Sequence, residues 1–487
     1  MLRPRTAIFG KQVADAMQRP PPLVPPDLTC ATLLDKIRAA RATGAVVVDA
    51  NLRPLGIVTE QDIVRRMTFR VAPESPVSAV MTHPVHTIEA SDYLYQAIGR
   101  MLRLNVRHLP VTGEGGEIRG MLALKDSLAD AAGRTLDHIR QLTWDNGLET
   151  IGQVRSAQAR LAEELLDEEL GVVAVQRLIT HINNDVYARL ARRRLKRMAD
   201  AGLGDPPVEC CLLVMGSGGR GENFLRPDQD HGLILGNYPD ADHDRIDGWF
   251  REFSEGLIQD LEAVGFPRDS GSVMSLNPMW RKTLSQWKMQ VNLWASRGGA
   301  MNIRLADIFF DFQPVFGNFA YARALREHID ALVLRSPMLL KVMVHEHEEQ
   351  GVALGMFGGF ITMGRDSEFR GHINLKHTGT LPLVSAIRLL ALKHGISATG
   401  TLERMEALQA KGLLDNTEFE SLQRAADFLS GLILRHQLDR WRHDENPDYY
   451  LHPASLSRPQ RARLKRALRT IRGLRDRVRT EITGQVF

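Results

Sequence analysis

This sequence has few cysteines and a small net charge. Its 487 residues include three cysteines, Cys30, Cys210 and Cys211, and the formal net charge at pH 7 is +4. Three cysteines build neither a disulfide framework nor a four-cysteine zinc site. A net charge this small over this length gives no electrostatic reason to expect nucleic acid as a partner.

Long apolar runs are missing too. No run approaches the roughly 18 apolar residues of a membrane span. The opening residues, MLRPRT, lack the apolar segment of a signal peptide. We therefore expect a cytoplasmic protein with no membrane partner. A chain of this length also exceeds what a single hydrophobic core supports, so we expect roughly three domains.

What the sequence does contain is a short apolar run that leads straight into a glycine-rich loop. Residues 208–215, VECCLLVM, predict a buried strand, and residues 216–222 read GSGGRGE. A second apolar run, at 231–235, follows Asp228 and Asp230. In extended chain these two side chains share a face. Two close carboxylates repel each other unless a cation lies between them, and Mg²⁺ binds through such carboxylates together with substrate phosphates.

This combination resembles the nucleotidyltransferase superfamily of the polymerase-β type, in which a Gly-Ser turn holds the phosphates of the nucleotide and an Asp-x-Asp pair holds metal. The string GSGGRGENFLRPDQDHGLIL, at 216–235, is similar to one bacterial branch. That branch comprises signal-transduction nucleotidyltransferases related to protein-PII uridylyltransferases and glutamine-synthetase adenylyltransferases. Separately, a glycine loop is often a tight turn and an Asp pair a solvated strand end. At this spacing the two together are a specific signal, and the absence of Gly-Lys-Ser/Thr after the glycines excludes a Walker loop.

The resemblance implies a nucleotide site and a metal site. The residues implied for the nucleotide are Gly216, Ser217, Arg220 and Glu222. For two Mg²⁺ ions it implies Asp228, Asp230 and a third carboxylate on a neighbouring strand. We assign the third position to Asp311, which stands among three phenylalanines in a predicted strand, where an ionised carboxylate needs a cationic partner. Asp307 is the nearby alternative.

Two further segments are similar to the same branch. Residues 273–281, VMSLNPMWR, contain its Asn-Pro-x-Trp-Arg pattern. Residues 374–379, NLKHTG, resemble part of its substrate-binding helical domain, where Lys376 could reach a triphosphate or be an ordinary surface lysine. Apolar residues at helical spacing predict helices over 381–392 and 419–438.

The first part of the chain contains an internal repeat. Four anchor residues recur 64 positions later, which implies two copies of one supersecondary unit. Each copy is predicted to contain a helix followed by two strands. The recurring pairs are Val13 and Val77, Met17 and Met81, Gly56 and Gly120, and Asp62 and Asp126.

This repeat resembles a pair of CBS domains over about residues 10–132. In that family a Thr or Ser hydroxyl and an Asp after the second strand contact the phosphate and ribose of an adenine nucleotide. The resemblance implies these roles for Thr59 and Asp62 in the first copy. In the second copy it implies Asp126, but Ala123 stands where the hydroxyl should be. A lost hydrogen bond of this kind costs about 1–3 kcal/mol, so we expect the first site to bind better.

Two features leave alternatives open. The CBS pair could serve only for dimerisation, and we expect a homodimer through it in either case. The last predicted helix, from residue 458 onward, carries many arginines on one face and apolar residues on the other. Such a helix typically packs its apolar face on the core, and RNA or an acidic protein is the alternative partner for the basic face.

The patterns together predict a multidomain α/β and α protein. A tandem CBS pair at 10–132 and a helical lead-in at 133–205 precede a polymerase-β-like α/β nucleotidyltransferase domain at 206–330 and a helical substrate-binding domain at 331–487. The resemblance implies transfer of a nucleoside monophosphate from UTP or ATP to an acceptor hydroxyl, which we expect on a signalling protein, under regulation by an adenine nucleotide at the CBS pair. Two alternatives are a non-catalytic adenine-nucleotide sensor and a transferase acting on a small molecule.

Overall fold

The computed structural model describes residues 7–59, 62–67, 71–124, 127, 148–167, 171–268, 271–297, 308–347, 351–355, 357–364 and 366–484. Two residues named above, Asp126 and Asp307, lie outside these ranges. The chain forms two compact units, residues 1–145 and 146–487. Among the described residues, no helix is both long and apolar enough to cross a membrane.

The first unit contains the two predicted copies, each built as a short strand, a helix and two longer strands. The first copy follows a short helix α1 (Ala7–Gly10) and consists of β1 (Leu23–Val24), α2 (Cys30–Ala40), β2 (Gly44–Val48) and β3 (Pro54–Thr59). The second copy consists of β4 (Ile88–Glu89), α3 (Leu94–Leu104), β5 (His108–Thr112) and β6 (Ile118–Ala123). The two three-stranded sheets have the equivalent orders β1-β2-β3 and β4-β5-β6.

The strand register repeats as the sequence does. Gly44 pairs with Thr59 in the first copy, and His108 pairs with Ala123 in the second. The helices α2 and α3 end in the same way, since Arg41 and its counterpart 64 positions later both take the left-handed conformation that closes a helix. The predicted internal repeat is therefore confirmed.

A four-stranded sheet lies at the centre of the second unit. Its strands are β7 (Cys210–Val214), β8 (His231–Leu235), β9 (Arg281–Thr283) and β10 (Gln313–Gly317). The order is β10-β7-β8-β9, with β7 antiparallel to both of its neighbours and β8 parallel to β9. Every residue of β7 and β8 is buried, because these apolar strands are covered on both faces.

Helices surround this sheet and form the rest of the unit. They are α4 (Leu148–Asp167), α5 (Val172–Asp200), α6 (Gly216–Arg220), α7 (His243–Ala263), α8 (Leu284–Arg297), α9 (Phe319–Arg335), α10 (Pro337–His347), α11 (Leu381–Lys393), α12 (Thr401–Ala410), α13 (Asn416–Arg442) and α14 (Arg458–Thr483). Two short strands, β11 (Ile373–Asn374) and β12 (Tyr450–Leu451), pair antiparallel among them. The predicted boundary at residue 331 falls inside α9.

The predicted helices of the C-terminal region are present. The helix predicted at 381–392 corresponds to α11, and α13 extends beyond both ends of the predicted 419–438. The last helix, α14, buries its apolar stripe, as an amphipathic helix packed on a core does. The buried stripe consists of Leu464, Ala467, Leu468, Ile471, Leu474 and Val478.

The Asn-Pro-x-Trp-Arg segment has a structural role in the core. Asn277 accepts a hydrogen bond from the backbone N–H of Met279 at 3.0 Å and so starts a short helical turn. Trp280, at its end, is buried in an aromatic cluster in which Trp287 and Phe309 stack with ring centroids 4.3 Å apart. The segment thus fixes the chain between β8 and β9 against the core.

Candidate functional site

The glycine-rich loop forms a short helix, α6, directly after β7. Gly216 has φ +57°, and a Cβ at this position would lie 3.0 Å from Oδ2 of Asp230. A Cβ at Gly219 would collide with the backbone carbonyl oxygen of Asp311. Both glycines therefore permit a close approach that no larger residue allows.

The two predicted metal ligands lie immediately before β8 rather than within it. The backbone N–H of Met215 donates to the carbonyl of Asp230 at 2.9 Å, which fixes this segment against the glycine loop. Between the carboxylates, the Gln229 side chain is fully buried and donates to the carbonyl of Phe266 at 2.8 Å. Asp228 keeps 42% of its side chain exposed. The amide between the carboxylates is thus turned inward, and Asp228 is turned toward solvent.

Lys376 meets this pair from the C-terminal region. Its Nζ lies 3.6 Å from Oδ2 of Asp228 and 4.8 Å from the ring centroid of Tyr449. Burial by itself would lower the pKa of Lys376, but Tyr449, Asp228 and Asp230 outweigh it, so the pKa is raised and the ammonium is retained. The structure therefore places Lys376 beside the predicted site and not on a remote surface.

Asp311 occupies a different environment from the other two carboxylates. It lies in the bend before β10 and not within the predicted strand, and its side chain is fully buried. Its Oδ2 accepts from Nη1 of Arg220 at 2.9 Å and from Nη2 of Arg388 at 2.6 Å, and its Oδ1 accepts from Nη2 of Arg404 at 2.7 Å. Burial would raise the pKa of Asp311, but Arg388, Arg404 and Arg220 together hold that pKa far below its usual range.

These contacts pair Asp311 with guanidinium groups and not with the predicted metal site. Among the described residues, no three His, Cys, Asp or Glu side chains are close enough together to bind one metal ion. The structure therefore does not bring Asp311 together with Asp228 and Asp230. Its carboxylate did need cationic partners, as predicted, but those partners are guanidinium groups, which occupy both of its oxygens.

Glu222 and Ser217, which are also predicted to bind the nucleotide, form hydrogen bonds that stabilise the loop. Glu222 accepts from Nε of Arg220 at 2.7 Å through one oxygen and from the backbone N–H of Thr401 at 2.7 Å through the other. The hydroxyl of Ser217 donates to Oδ1 of Asn223 at 2.9 Å. Glu222 thus connects the loop to the first residue of α12.

A cavity lies between the glycine loop and the helices of the C-terminal region. Its volume is about 80 Å³, and its walls include Ser217, Arg220, Glu222 and Lys376. Residues of α5, α11, α12 and α13 complete the lining. Three of the four residues predicted for the nucleotide therefore face a common space together with Lys376.

Sequence reasoning missed several residues of this site. Arg404 and Tyr449 stand in no recognisable pattern, and they reach the site from distant helices or loops. Arg388 did carry a signal, because it is the one charged residue of 382–392, the buried stretch of α11. A charge in such a helix predicts a buried partner of opposite sign.

The first unit has a cleft of its own. Thr59 lines it, together with Arg19, Arg41, Arg107 and other residues of both copies, around a volume of about 1010 Å³. No carboxylate is found among the described residues that line this cleft. Such a lining suits an anion.

Asp62 holds the side chain of Thr59 through a hydrogen bond. It is buried and accepts from the hydroxyl of Thr59 at 2.8 Å and from the hydroxyl of Thr82 at 3.0 Å. Ala123 occupies the place equivalent to Thr59 and also lines the cleft. The predicted partner in the second copy, Asp126, lies outside the described residues.

Family models match most of this architecture. Residues 13–68 and 77–126 match the CBS domain, residues 156–300 match the family described as "Putative nucleotidyltransferase DUF294", and residues 337–482 match the "Putative nucleotidyltransferase substrate binding domain". The chain thus carries a CBS pair and both DUF294 domains. The predicted fold, a CBS pair followed by a nucleotidyltransferase-like domain and a helical C-terminal region, is confirmed.

Similarity to individual proteins is confined to parts of the chain. A 17.7 kDa protein of Acidianus ambivalens is 31% identical over 104 residues, which are 21% of this chain and 63% of that protein. A 33.4 kDa protein of Thermofilum pendens is 27% identical over 177 residues, 32% of this chain and 57% of that protein. The chain spans less than two thirds of the length of these curated relatives.

Solved structures match over about a quarter of the chain. A CBS domain protein from Pyrobaculum aerophilum complexed with AMP is 26% identical, with a TM-score of 0.23, over 24% of this chain and 89% of that one. The CBS domains of a transcriptional regulator from Streptococcus pneumoniae are 20% identical, with a TM-score of 0.22, over 24% of this chain and 98% of that one.

Proposed function

We propose that this protein transfers a nucleoside monophosphate from a nucleoside triphosphate to an acceptor hydroxyl. The observation that carries the proposal is the meeting of three segments: the Gly216–Ser217 turn, the Asp228/Asp230 pair and Lys376. Two of these segments also line one cavity, together with Arg220. The matches to both nucleotidyltransferase domain models support the reaction class.

The donor set suits Mg²⁺. Asp228 and Asp230 offer hard oxygen ligands, and Asp228 is accessible from solvent. The Nζ of Lys376, 3.6 Å from Oδ2 of Asp228, is already one positive charge beside this carboxylate. Bound Mg²⁺ would be held by these two carboxylates and would polarise the phosphoryl group that is transferred. The described contacts give no support to Asp311 as a further ligand, so the proposal rests on the pair.

The protein's own groups would bind and orient the triphosphate. Lys376 carries its charge at the cavity wall and can pair with a phosphate oxygen. Arg220 is held in place on two sides, by Asp311 and by Glu222, and faces the same cavity. A guanidinium fixed in this way stabilises charge on the leaving pyrophosphate without reorganising, which is how electrostatic catalysis lowers a barrier.

The acceptor that we propose is a hydroxyl of a signalling protein. The resemblance of residues 216–235 to enzymes that modify such proteins supports this choice. Transfer to a small molecule, or nucleotide binding without transfer, is distinguished from it by experiment.

The test uses the purified full-length protein, Mg²⁺, nucleoside triphosphates labelled at the α-phosphate, and a cell lysate that supplies acceptors. We expect a labelled protein band, and we expect Asp228→Asn and Asp230→Asn to abolish it. Asp244→Asn, an exposed carboxylate on α7, is the matched control and should label normally. Labelling by Asp228→Asn at the wild-type rate would refute the assignment.

Two other outcomes favour the alternatives. Label that appears only in small molecules indicates a small-molecule acceptor. Tight nucleotide binding without pyrophosphate release, with any acceptor, indicates a sensor. A metal-binding readout is independent of turnover, since Mn²⁺ paramagnetic resonance should show weaker binding in Asp228→Asn than in Asp244→Asn.

We further propose that an adenine nucleotide binds the cleft of the CBS pair and regulates the transferase. Thr59 and the basic residues that line the cleft support an anionic ligand there. Asp62 would act by holding the Thr59 hydroxyl, with which it shares a 2.8 Å hydrogen bond.

A further inference from the structure

The helix α13 contributes a polar face to the cavity of the second unit. The residues that line the cavity from this helix are Gln423, Ala426, Asp427 and Ser430. Their spacing of three, four and seven positions places them on one side of the helix. The cations of the same cavity, Arg177, Arg220 and Lys376, come from other segments. The helix α13 therefore contributes a carboxylate and no cation to the lining, whereas Glu222, the other lining carboxylate, is paired with Arg220.

Asp427 contributes no polar contact to the described part of the fold. Within the described part of the chain it forms neither a hydrogen bond nor an ion pair, although it is half-buried. Burial raises its pKa. Its neighbours in the lining include apolar side chains of α11 and α12, such as Val384 and Met405. A polar group that is partly desolvated without a partner costs free energy, so a ligand that supplies the missing donor gains affinity.

A nucleotide in this cavity would contact both the cations and the lining residues of α13. If its phosphates pair with Arg220 and Lys376, its base is the part left to occupy the apolar space beside α13. An ionised carboxylate only accepts hydrogen bonds. Adenine and cytosine each carry an exocyclic amino group, which donates, whereas the corresponding carbonyl of uracil or thymine accepts. A carbonyl placed against Asp427 would leave two acceptors facing each other.

We propose that Asp427, with Gln423 one turn before it, recognises the edge of the nucleobase and selects bases with an exocyclic amino group over uracil or hypoxanthine. This inference rests on the proposed function, because it takes the cavity as the nucleotide site. It identifies the substrate as an amino-bearing nucleoside triphosphate and makes UTP the disfavoured one.

The test compares nucleotides that differ at this one group. Dissociation constants for CTP and UTP, and for ATP and ITP, are measured on the full-length protein through its tryptophan fluorescence. Five of the six tryptophans belong to the second unit, so binding at the CBS cleft contributes little to this signal. We expect the amino-bearing member of at least one pair to bind at least about 10-fold more tightly, since sites that hydrogen-bond a substrate group discriminate strongly.

The decisive variant is Asp427→Asn, whose amide can donate to a carbonyl. It should lower the preference for the amino-bearing nucleotide by about 10-fold or reverse it, while Asp427→Ser should weaken the preference without reversing it. Glu420→Gln, an exposed residue of the same helix, is the matched control and should leave the ratio unchanged.

The possible outcomes distinguish failure of base recognition from failure of the proposed function. Equal affinities within both pairs, or a preference that survives Asp427→Asn, overturns base recognition by α13 and leaves the proposed transferase standing. If none of the four nucleotides binds to the second unit, the proposed function fails and this inference fails with it.

Discussion

A carboxylate buried among aromatic rings needs positive partners, and Asp311 has three of them. The arginines that supply these partners stand 91, 77 and 93 positions away in the chain. The sequence alone could therefore predict that Asp311 needs a cation, but not which one. A metal ion and a guanidinium satisfy the same electrostatic demand, and only the packing of α11 and α12 against the loop decides between them.

At Asp311, the expected effect of substitution is on stability. Asp311→Asn removes the anion that three buried guanidinium groups share, and breaking a buried pair in this way costs about 3–5 kcal/mol. We expect a lower urea midpoint for the second unit, followed by tryptophan fluorescence. The matched control is Asp244→Asn, which should change the midpoint little. An unchanged midpoint in Asp311→Asn would show that the arginine contacts contribute nothing.

The same residue predicts a dependence of stability on pH. The pKa of Asp311 in the folded protein is below its value in the unfolded chain, which is about 3.9. The unfolded state then binds more protons in acid, so the stability from Asp311 is complete above about pH 5 and is lost as the pH falls below about 4. The urea midpoint of the wild type should decline more steeply between pH 5 and pH 3 than that of Asp311→Asn. Parallel declines would contradict this.

Among the secondary-structure elements, short segments with strong patterns were predictable and connections were not. The apolar runs of β7 and β8 and the repeat in the first unit follow from the sequence. The strand predicted around Asp311 is wrong, because the chain bends at 310–311 and β10 begins only at Gln313. Three phenylalanines suggested a strand, and all three are buried, but none of them lies in a strand. Apolar and aromatic side chains favour burial, and they can be buried from turns and helices as well as from strands.

The short helix α6 predicts a contrast between two glycine substitutions. Gly219→Ala would push a methyl group into the backbone at Asp311, and forced overpacking costs about 1–3 kcal/mol. Gly248→Ala, in α7, meets open space and should stabilise by up to about 1 kcal/mol through helix propensity. Urea unfolding of both variants tests this pair. Equal effects would mean that the loop adjusts freely to a larger residue.

At the scale of the whole molecule, the two units offer two separate binding spaces with different chemistry. The cleft of the first unit is basic and includes a threonine hydroxyl, and the cavity of the second unit combines three cations with two carboxylates. Ligands for the two spaces can therefore be studied one at a time. The acceptor is the one component for which no residue pattern was available, because recognition of a partner surface leaves no short motif.

An adenine nucleotide should protect the first unit selectively. At 100 times its dissociation constant, a ligand stabilises the state it binds by about 2.7 kcal/mol. Hydrogen exchange followed by mass spectrometry should show slower exchange in peptides from 10–124 when AMP is added. Thr59→Ala should remove most of this protection, and Thr32→Ala, an exposed threonine of α2, should retain it. Protection that persists in Thr59→Ala would place the nucleotide elsewhere.

The ion cluster at Asp311 also bears on how this protein can change over evolutionary time. Its carboxylate belongs to a segment next to the central sheet, whereas two of its three arginines belong to the helical region that a separate family model describes. Substitution of Asp311 alone, or of the arginines alone, would leave a buried charge without its partner. A chimera that takes its helical region from a relative should therefore fold only when the donor supplies both arginines, which makes the two regions a single unit of inheritance despite their separate family models.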